Sequence, residues 1–321
     1  MMIQKENIMY TKNERLRYIA GTPVNIAIAN IRNYNLHCHE NAMEFAYCLS
    51  GSAVFNIAHE HMILNEGEVV LIEHENFHSI QADSDNIILL FHIDIKNCIY
   101  PWEKIKYMYF SCATKLCKPH HIPHLQKIYE ALLTASYIYA SRDTHFTESY
   151  NKIANILLDL VVNYFTWFSI ETFTSEDSKK FKNRLDRILS YVQKHYNEKI
   201  TLSQIAQNEY INENYFSQFL KKTSFHSFTK MLNYIRCFEA EKLLLKTDLP
   251  IQEISDICGF SSKKYLHKYF KEFWKTTPFQ HRKKSHENSL IQNDFYYFSP
   301  EESLPLIEKK ICEYLKSKLL K

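Results

Sequence analysis

Two stretches of this chain share one pattern, and any fold it adopts must accommodate both. In Leu202–Lys222, Leu202, Ile205 and Ala206 sit at helical spacing, a break follows at Tyr210, Ile211 and Asn212, and a second helical stripe runs through Tyr215, Phe216, Phe219 and Leu220. In Ile251–Phe273, Ile251, Ile254 and Ile257 make one stripe, Gly259, Phe260 and Ser261 the break, and Tyr265, Leu266, Tyr269, Phe270 and Phe273 the next. Gly259 suits a turn position of positive φ, and Ser261 suits the N-cap of the helix that follows. Each passage predicts helix, tight turn, helix, and a long helical pattern from about Ser227 to Lys246 joins them.

About twenty residues at about 1.5 Å each make the joining helix roughly 30 Å long, close to the roughly 34 Å pitch of B-form DNA. Helices held that far apart can enter successive major grooves on one face of a duplex. Charge agrees: residues 181–284 carry 19 Lys and Arg against 10 Asp and Glu, whereas the remainder carries 20 against 26. The formal net charge of +3 conceals a basic module joined to an acidic one, as expected if one part alone meets phosphate.

The order of particular residues carries more. Ile200-Thr201-Leu202 and Ile205-Ala206 open the first unit, and Tyr215-Phe216 with Leu220-Lys221-Lys222 mark its second helix. Arg236, Ala240 and Leu243-Leu244-Leu245 lie in the joining helix. Ile251, Ile254-Ser255, Cys258-Gly259-Phe260-Ser261, Tyr265 and Tyr269-Phe270-Lys271 follow, and Thr277-Pro278 with Arg282 close the run. This pattern over residues 200–282 resembles the C-terminal DNA-binding domain of the AraC/XylS family of bacterial transcription regulators. Two places depart from it: Tyr210 stands where the family usually has Gly in the first turn, and no Gly stands near Lys275 after the last recognition helix, where the family usually has one. A non-Gly residue costs strain if φ is positive there.

From Val24 to about Ile95 the apolar period changes to two. Strand-like runs at Val24–Ala29, Phe45–Leu49, Ala53–Ile57, Glu68–Ile72 and Ile87–His92 are separated by turn residues, which predicts an all-β barrel or sandwich. His37 and His39, then Glu44 and Gly51, fit the spacing of the first cupin motif. Gly67 and His78 fall in register with the second, but Glu73, Glu75 and Ala82 replace its Pro, Gly and Asn. The resemblance to a cupin sensor domain implies an effector pocket of His37, His39, Glu44 and His78, with Tyr34, Phe45 and Tyr47 as its apolar wall. In metal cupins the three histidines and the glutamate are the ligands, and a donor set of this kind suits Zn, Fe, Mn or Ni. The expectation is no cofactor, with a divalent metal at those four residues as the alternative.

Cys112, Cys117, His120, His121 and His124 crowd into thirteen residues, but their spacing matches no zinc finger or ribbon and reads as a His-rich connector. From Leu125 to Ile170 the period returns to 3.6, with one stripe through Leu125, Ile128, Leu132 and Leu133 and another from Ile153 to Phe168, divided near Ser141–Thr144. The resemblance implies dimerisation by this pair; packing within the domain is the alternative. The organisation that results is a cupin-like domain at 1–115, a helical dimerisation element at 116–170, a linker at 171–180, the DNA-binding domain at 181–284 and an extension at 285–321. In the extension, Ile307, Ile311, Leu315 and Leu319 form an amphipathic pattern with Lys309, Lys310, Lys316 and Lys318, suited either to packing on the DNA-binding domain or to lying along phosphate. The fold class is therefore multi-domain: a β barrel with appended helices, then an all-α domain with two helix-turn-helix motifs.

No apolar run reaches the roughly 18 residues of a membrane-spanning helix, and the charges in Met1–Ala20 do not suit a signal peptide. The eight cysteines lack the spacing of a secreted scaffold, so reduced thiols and a cytoplasmic place are expected. The reading that uses both halves is a non-enzymatic, one-component regulator: a homodimer that binds promoter DNA, answers to a small-molecule effector (sugars are the class associated with this domain order) and meets RNA polymerase. Its base-reading side chains are Asn214, Ser217, Gln218, Lys263, Lys264, His267 and Lys268, which face away from the apolar stripes. Lys221, Lys222, Lys271 and Arg282, at or beyond the helix ends, are the phosphate contacts. A metal-dependent cupin enzyme leaves residues 181–284 without purpose, and an architectural DNA-binding protein leaves the barrel without one.

Overall fold

The computed structural model describes residues 16–57, 60–98, 105, 108, 110–142, 147–165, 176–221, 227–289 and 292–319. Backbone contacts divide the chain into two compact units. One is built on residues 15–34, 39–182 and 293–321; the other is built on 183–292, with 35–38 assigned to it although these residues continue the first strand of the sheet.

The first unit holds one eight-stranded, barrel-like sheet: β1 (Val24–His37), β2 (Ala42–Ser50), β3 (Ser52–Ile57), β4 (Glu60–Asn65), β5 (Val69–Ile72), β6 (His78–Gln81), β7 (Ile87–Asp94) and β8 (Asp294–Tyr297). Its order is β4-β3-β6-β1-β7-β2-β5, with β8 paired to β1. Residues 42–49 of β2 are all buried, so this strand has no solvated face. Its odd side chains, Met43, Phe45, Tyr47 and Leu49, join one core, and Ala46 and Cys48 join the other. β7 divides in the same way, Leu89, Phe91 and Ile93 against Ile88 and Leu90. The period of two therefore sorts residues between two apolar cores rather than between core and water.

The first of those cores is closed by helices α1 (Ile122–Ala140) and α2 (Thr147–Tyr164), through residues such as Ile128, Leu132, Leu157 and Val161. Barrel and helix pair share this core, so the boundary expected at 115/116 does not separate two domains. The extension is the larger revision. Its helix α10 (Pro300–Leu319) packs on α1 and places Ile307, fully buried, in the same core. Lys310 Nζ donates to Glu66 Oε1 at 2.6 Å, and Lys318 pairs with Glu130. β8 adds to the sheet, Phe295 opposite Ile31, with the Phe295 and Tyr34 ring centres 4.7 Å apart. The extension therefore packs on the sensor unit, where neither packing on the DNA-binding domain nor lying along phosphate had placed it. Two of its lysines are engaged there, and β8 and α10 complete that unit's fold.

The second unit is helical: α3 (Glu176–His195), α4 (Leu202–Asn208), α5 (Glu213–Lys221), α6 (Phe228–Lys246), α7 (Ile251–Ile257), α8 (Lys263–Trp274) and α9 (Pro278–Ser289). Residues 171–175 of the expected linker lie outside the described residues, and α3 already begins at Glu176. Thr201 and Gln204 form a reciprocal capping box at the start of α4. Ser262, rather than Ser261, caps α8, and its side chain makes no capping bond. Ile257, expected in the apolar stripe, is 41% exposed, because Ile254 and Cys258 already fill the inward positions.

The two turns share one backbone pattern. Tyr210 N donates to Gln207 O and Ile211 N to Ala206 O; Gly259 N donates to Asp256 O and Phe260 N to Ser255 O. Both central residues are left-handed, Tyr210 at φ 55° and Gly259 at φ 75°. Lys275, the C-cap of α8, is left-handed as well, at φ 57°. Both departures from the family pattern therefore carry the positive φ that glycine would have relieved. Arg236 on α6 braces the unit, its Nε donating to Tyr196 O at 2.7 Å and its Nη2 to Glu198 O at 3.0 Å.

Candidate functional site

Two places gather the side chains singled out in the sequence. The first is the inner face of the sheet. His37 of β1, His39 just beyond it, Glu44 of β2 and His78 of β6 are each at most 4% exposed, and each offers one ligand atom, the four lying within 4.8 Å of one another. Strand alternation puts Glu44 on the same side as Ala46 and Cys48. Phe45 and Tyr47 consequently face the helix-covered core, so they cannot wall the pocket that Glu44 enters. Tyr34 does lie in the inner core.

A fifth residue belongs to this cluster. His92 of β7 stands directly opposite Glu44 in the β2–β7 register, 3% exposed, with Nε2 3.1 Å from Glu44 Oε2. Its signal in the sequence was a histidine at even spacing behind Ile88 and Leu90, but which strand it would meet could not be read there. The same Oε2 lies 3.0 Å from His39 Nε2 and 3.3 Å from His78 Nε2.

Protons decide what this geometry can hold. His78 Nδ1 is 3.1 Å from the carbonyl of Asn76, and His37 Nδ1 is 2.7 Å from that of Asn35. A carbonyl only accepts, so both Nδ1 atoms carry hydrogen, and in the neutral ring Nε2 keeps its lone pair. His78 then aims a lone pair at an acceptor oxygen, a contact that requires either an imidazolium proton or a cation between them. Burial works to raise the Glu44 carboxyl, but the charge of His78 and hydrogen bonds from His39, His78 and His92 outweigh it and hold the group well below its usual range. Glu44 Oε1 and His92 Nδ1 are buried without a hydrogen-bond partner among the described residues. The cluster is a carboxylate ringed by imidazoles with donor capacity to spare, and that chemistry fits a first-row transition metal.

The His-rich connector does not make a second such cluster. Cys112 is buried and its thiol is pushed well up by burial; His124 stacks on Tyr164 at 3.4 Å, and His121 Nδ1 accepts from Lys118 N. Among the described residues, the group with converging donor atoms is the one in the barrel.

The second place is the outer face of α5 and α8. Phe216, Leu220, Leu266 and Phe270 are fully buried, which fixes the opposite faces outward. Asn214, Gln218 and Lys221 on α5, and Lys263, Lys264, Lys268 and Lys271 on α8, are exposed. Ser217 and His267 are half-buried, and burial together with Lys263 lowers the His267 pKa, favouring the neutral ring. Lys268 Nζ sits 5.0 Å from the centre of the Tyr269 ring. Lys222 lies outside the described residues. Arg282 was expected on phosphate, but its Nε donates inward to Leu244 O at 3.1 Å, fastening α9 to α6.

Two family models fall on these two places. Residues 205–284 match the family model of a helix-turn-helix domain, and residues 33–94 that of a cupin domain. The chain is 24% identical over 242 residues to an uncharacterized HTH-type transcriptional regulator of Staphylococcus aureus (strain COL), covering 75% of this chain and 31% of that protein. It is 31% identical over 116 residues to the regulatory protein PocR of Salmonella typhimurium, covering 36% of this chain and 37% of that one. The match spans about a third of the length of each of these relatives. Among solved structures, the C-terminal domain of AraT, a response regulator from Geobacillus stearothermophilus, is 32% identical, with 32% of this chain and 84% of that chain covered and a TM-score of 0.30. ToxT from Vibrio cholerae O395 is 14% identical, with 81% and 97% covered and a TM-score of 0.43.

Proposed function

We propose that this chain, which belongs to the AraC/XylS family of transcription regulators by its cupin and helix-turn-helix domains in that order, binds promoter DNA through α5 and α8 under control of a ligand in its sensor unit. The observation that carries this is the pairing of two Schellman-turned helix-turn-helix units with outward Asn, Gln and Lys faces, joined through the 19 residues of α6. At about 1.5 Å per residue that helix is roughly 28 Å long, near one turn of B-form DNA. Asn214 and Gln218 suit adenine edges, Ser217 can donate to or accept from several base edges, and Lys263, Lys264 and Lys268 suit guanine or phosphate, with His267 beside them as a neutral donor or acceptor. Lys221 and Lys271, each in the last turn of its helix, grip backbone, and replacing either flattens the salt slope of binding by about one unit.

The regulator reading calls for no catalytic step, and it places the protein in the cytoplasm with RNA polymerase at its promoters. A homodimer formed through α1 and α2 suits the outward Tyr137, Ile156 and Tyr164, which are 43%, 50% and 41% exposed. Recovery of genomic fragments on the purified chain, followed by sequencing, tests the central claim: one recurrent motif is expected, and recovery without sequence preference sinks it.

One observation favours a particular occupant of the barrel. The convergence of one ligand atom each from His37, His39, Glu44 and His78, all within 4.8 Å of one another, supports a divalent transition metal held by these four, with His92 as a further donor, above an organic effector at the same spot. Such a metal would supply positive charge and a Lewis-acidic coordination position for an effector oxygen. Elemental analysis of protein purified without added metal is expected to give a stoichiometric first-row metal that His78→Ala loses. A metal-free wild-type protein that binds none of Zn, Fe, Mn or Ni on titration returns the cluster to effector contacts alone.

A further inference from the structure

On the far side of β2 from the His and Glu cluster, the sensor unit holds a cavity of about 340 Å³, at the lower end of the range of small-molecule sites, roughly 300–1,000 Å³. Tyr47 of β2 and Tyr129 of α1 line it with stacked rings, 5.2 Å between centres and 25° between planes, and Tyr314 of α10 brings a third ring. The tips of two are already engaged: the Tyr129 hydroxyl with Thr114 Oγ1 at 2.8 Å, the Tyr314 hydroxyl on Glu130 Oε1 at 3.1 Å. What these residues offer a ligand is ring face.

Charge narrows the class. Lys310 is paired with Glu66 and Glu313, and Lys318 with Glu130, so the two lysines on the lining meet three carboxylates. No positive charge is left over for an anion. Besides the three tyrosine hydroxyls, the neutral polar side chains on the lining are Gln126 and Ser317. A flat, uncharged ring with one hydroxyl satisfies all three conditions of volume, ring face and charge.

The position of this cavity gives it a second property. One wall is α10, and α10 follows the DNA-binding unit in the chain: α9 ends at Ser289 and β8 starts at Asp294. A ligand touching both α1 and α10 stabilises the docked helix by its own binding energy, so it acts on the segment that returns the chain from the DNA-binding unit to the sensor.

We propose that this cavity binds a small neutral hydroxylated ring compound of the phenol class, and that the bound compound clamps α10 onto the sensor unit. The control of DNA binding that follows rests on the regulator reading above; the binding step does not. The test uses the full chain and p-cresol as probe, with benzoate as its anionic counterpart. Calorimetry is expected to show saturable binding of p-cresol, about tenfold weaker binding of benzoate, and about tenfold or greater loss in Ser317→Trp, which fills the cavity from an exposed helix position. Glu308→Trp, on the same helix away from the lining, binds as the parent does. Amide exchange across residues 300–319 slows when p-cresol is added. No saturable binding, or unchanged binding in Ser317→Trp, overturns the site; equal affinity for benzoate overturns the neutral class; and binding without slowed exchange overturns the clamp. All of these are read without DNA, so a chain that recovers no operator fails the regulator reading and leaves these outcomes standing.

Discussion

The left-handed residues at the two turns give the sharpest prediction, because introducing a glycine at one and removing it from the equivalent position of the other should shift stability in opposite directions. A non-glycine residue in this conformation costs roughly 1–2 kcal/mol, and a glycine gives back about 0.5–1 kcal/mol through the freedom of the unfolded chain. Tyr210 is 96% exposed and loses no packing when truncated. Tyr210→Gly should therefore stabilise the DNA-binding unit by about 0.5–1 kcal/mol. Gly259→Ala pays the same conformational cost in reverse and meets a wall. Its Cβ would lie 2.5, 2.6 and 2.7 Å from the O, Cα and C of Asn197. That backbone cannot retreat freely, since Arg236 holds the carbonyls of Tyr196 and Glu198 on either side. Adding a typical overpacking cost gives a net destabilisation of about 2–4 kcal/mol. The assay is urea unfolding followed by fluorescence of Trp274, buried in this unit, in a chain whose other two tryptophans, Trp102 and Trp167, are replaced by Phe. Shifts of the same sign for the two variants, or a Gly259→Ala midpoint indistinguishable from the parent, would falsify the reasoning.

Ile307→Ala, which empties a fully buried position in the core shared by sheet and helices, should cost the sensor unit about 2–5 kcal/mol while the Trp274 transition stays where it was; amide exchange in β1 and α1 reads the first effect. The hydrogen bond from Lys310 holds the Glu66 carboxyl below its usual value, so its contribution is complete above the unfolded carboxylate pKa of about 4.3 and is lost as pH falls through the folded value. Acid titration of α10 docking should accordingly flatten in Glu66→Gln, and an unchanged acid limb removes this pair from the account. Gln218→Ala is expected to weaken binding at the selected operator by about 1–3 kcal/mol and to leave binding to random duplex nearly unchanged, as measured by competition.

What was legible in the sequence follows from the range of the interactions involved. Helix-turn-helix periodicity and the glycine at 259 are written in residues a few positions apart, and α4 to α8 fall where the pattern places them. The pairing of His37 with His39 was legible for the same reason. The burial of β2 on both faces was not: alternation tells which residues share a side, and nothing local tells that both sides are covered. That is why Phe45 and Tyr47 were expected beside Glu44 and stand opposite it. His92 entered the cluster through a cross-strand pairing 48 residues long in sequence, and the extension found its place against α1 through contacts that link residues 188 positions apart. β6 and β8 were missed because their four-residue runs carry too few alternations to stand out from the turns beside them, and β4 because Met62, Ile63 and Leu64 stand in a row and break the alternation.

The return of residues 293–321 to the sheet also sets an order of events during synthesis. The helix-turn-helix units are complete in the growing chain before β8 and α10 have been made, so the basic unit can fold while the sensor still lacks a strand, a helix and the side chain of Ile307. Domains generally form in the order they leave the ribosome; here the domain that starts first finishes last. A chain cut short after α9 would carry an intact DNA-binding unit on an unfinished sensor, with β1 lacking its β8 partner and the outer core open to water.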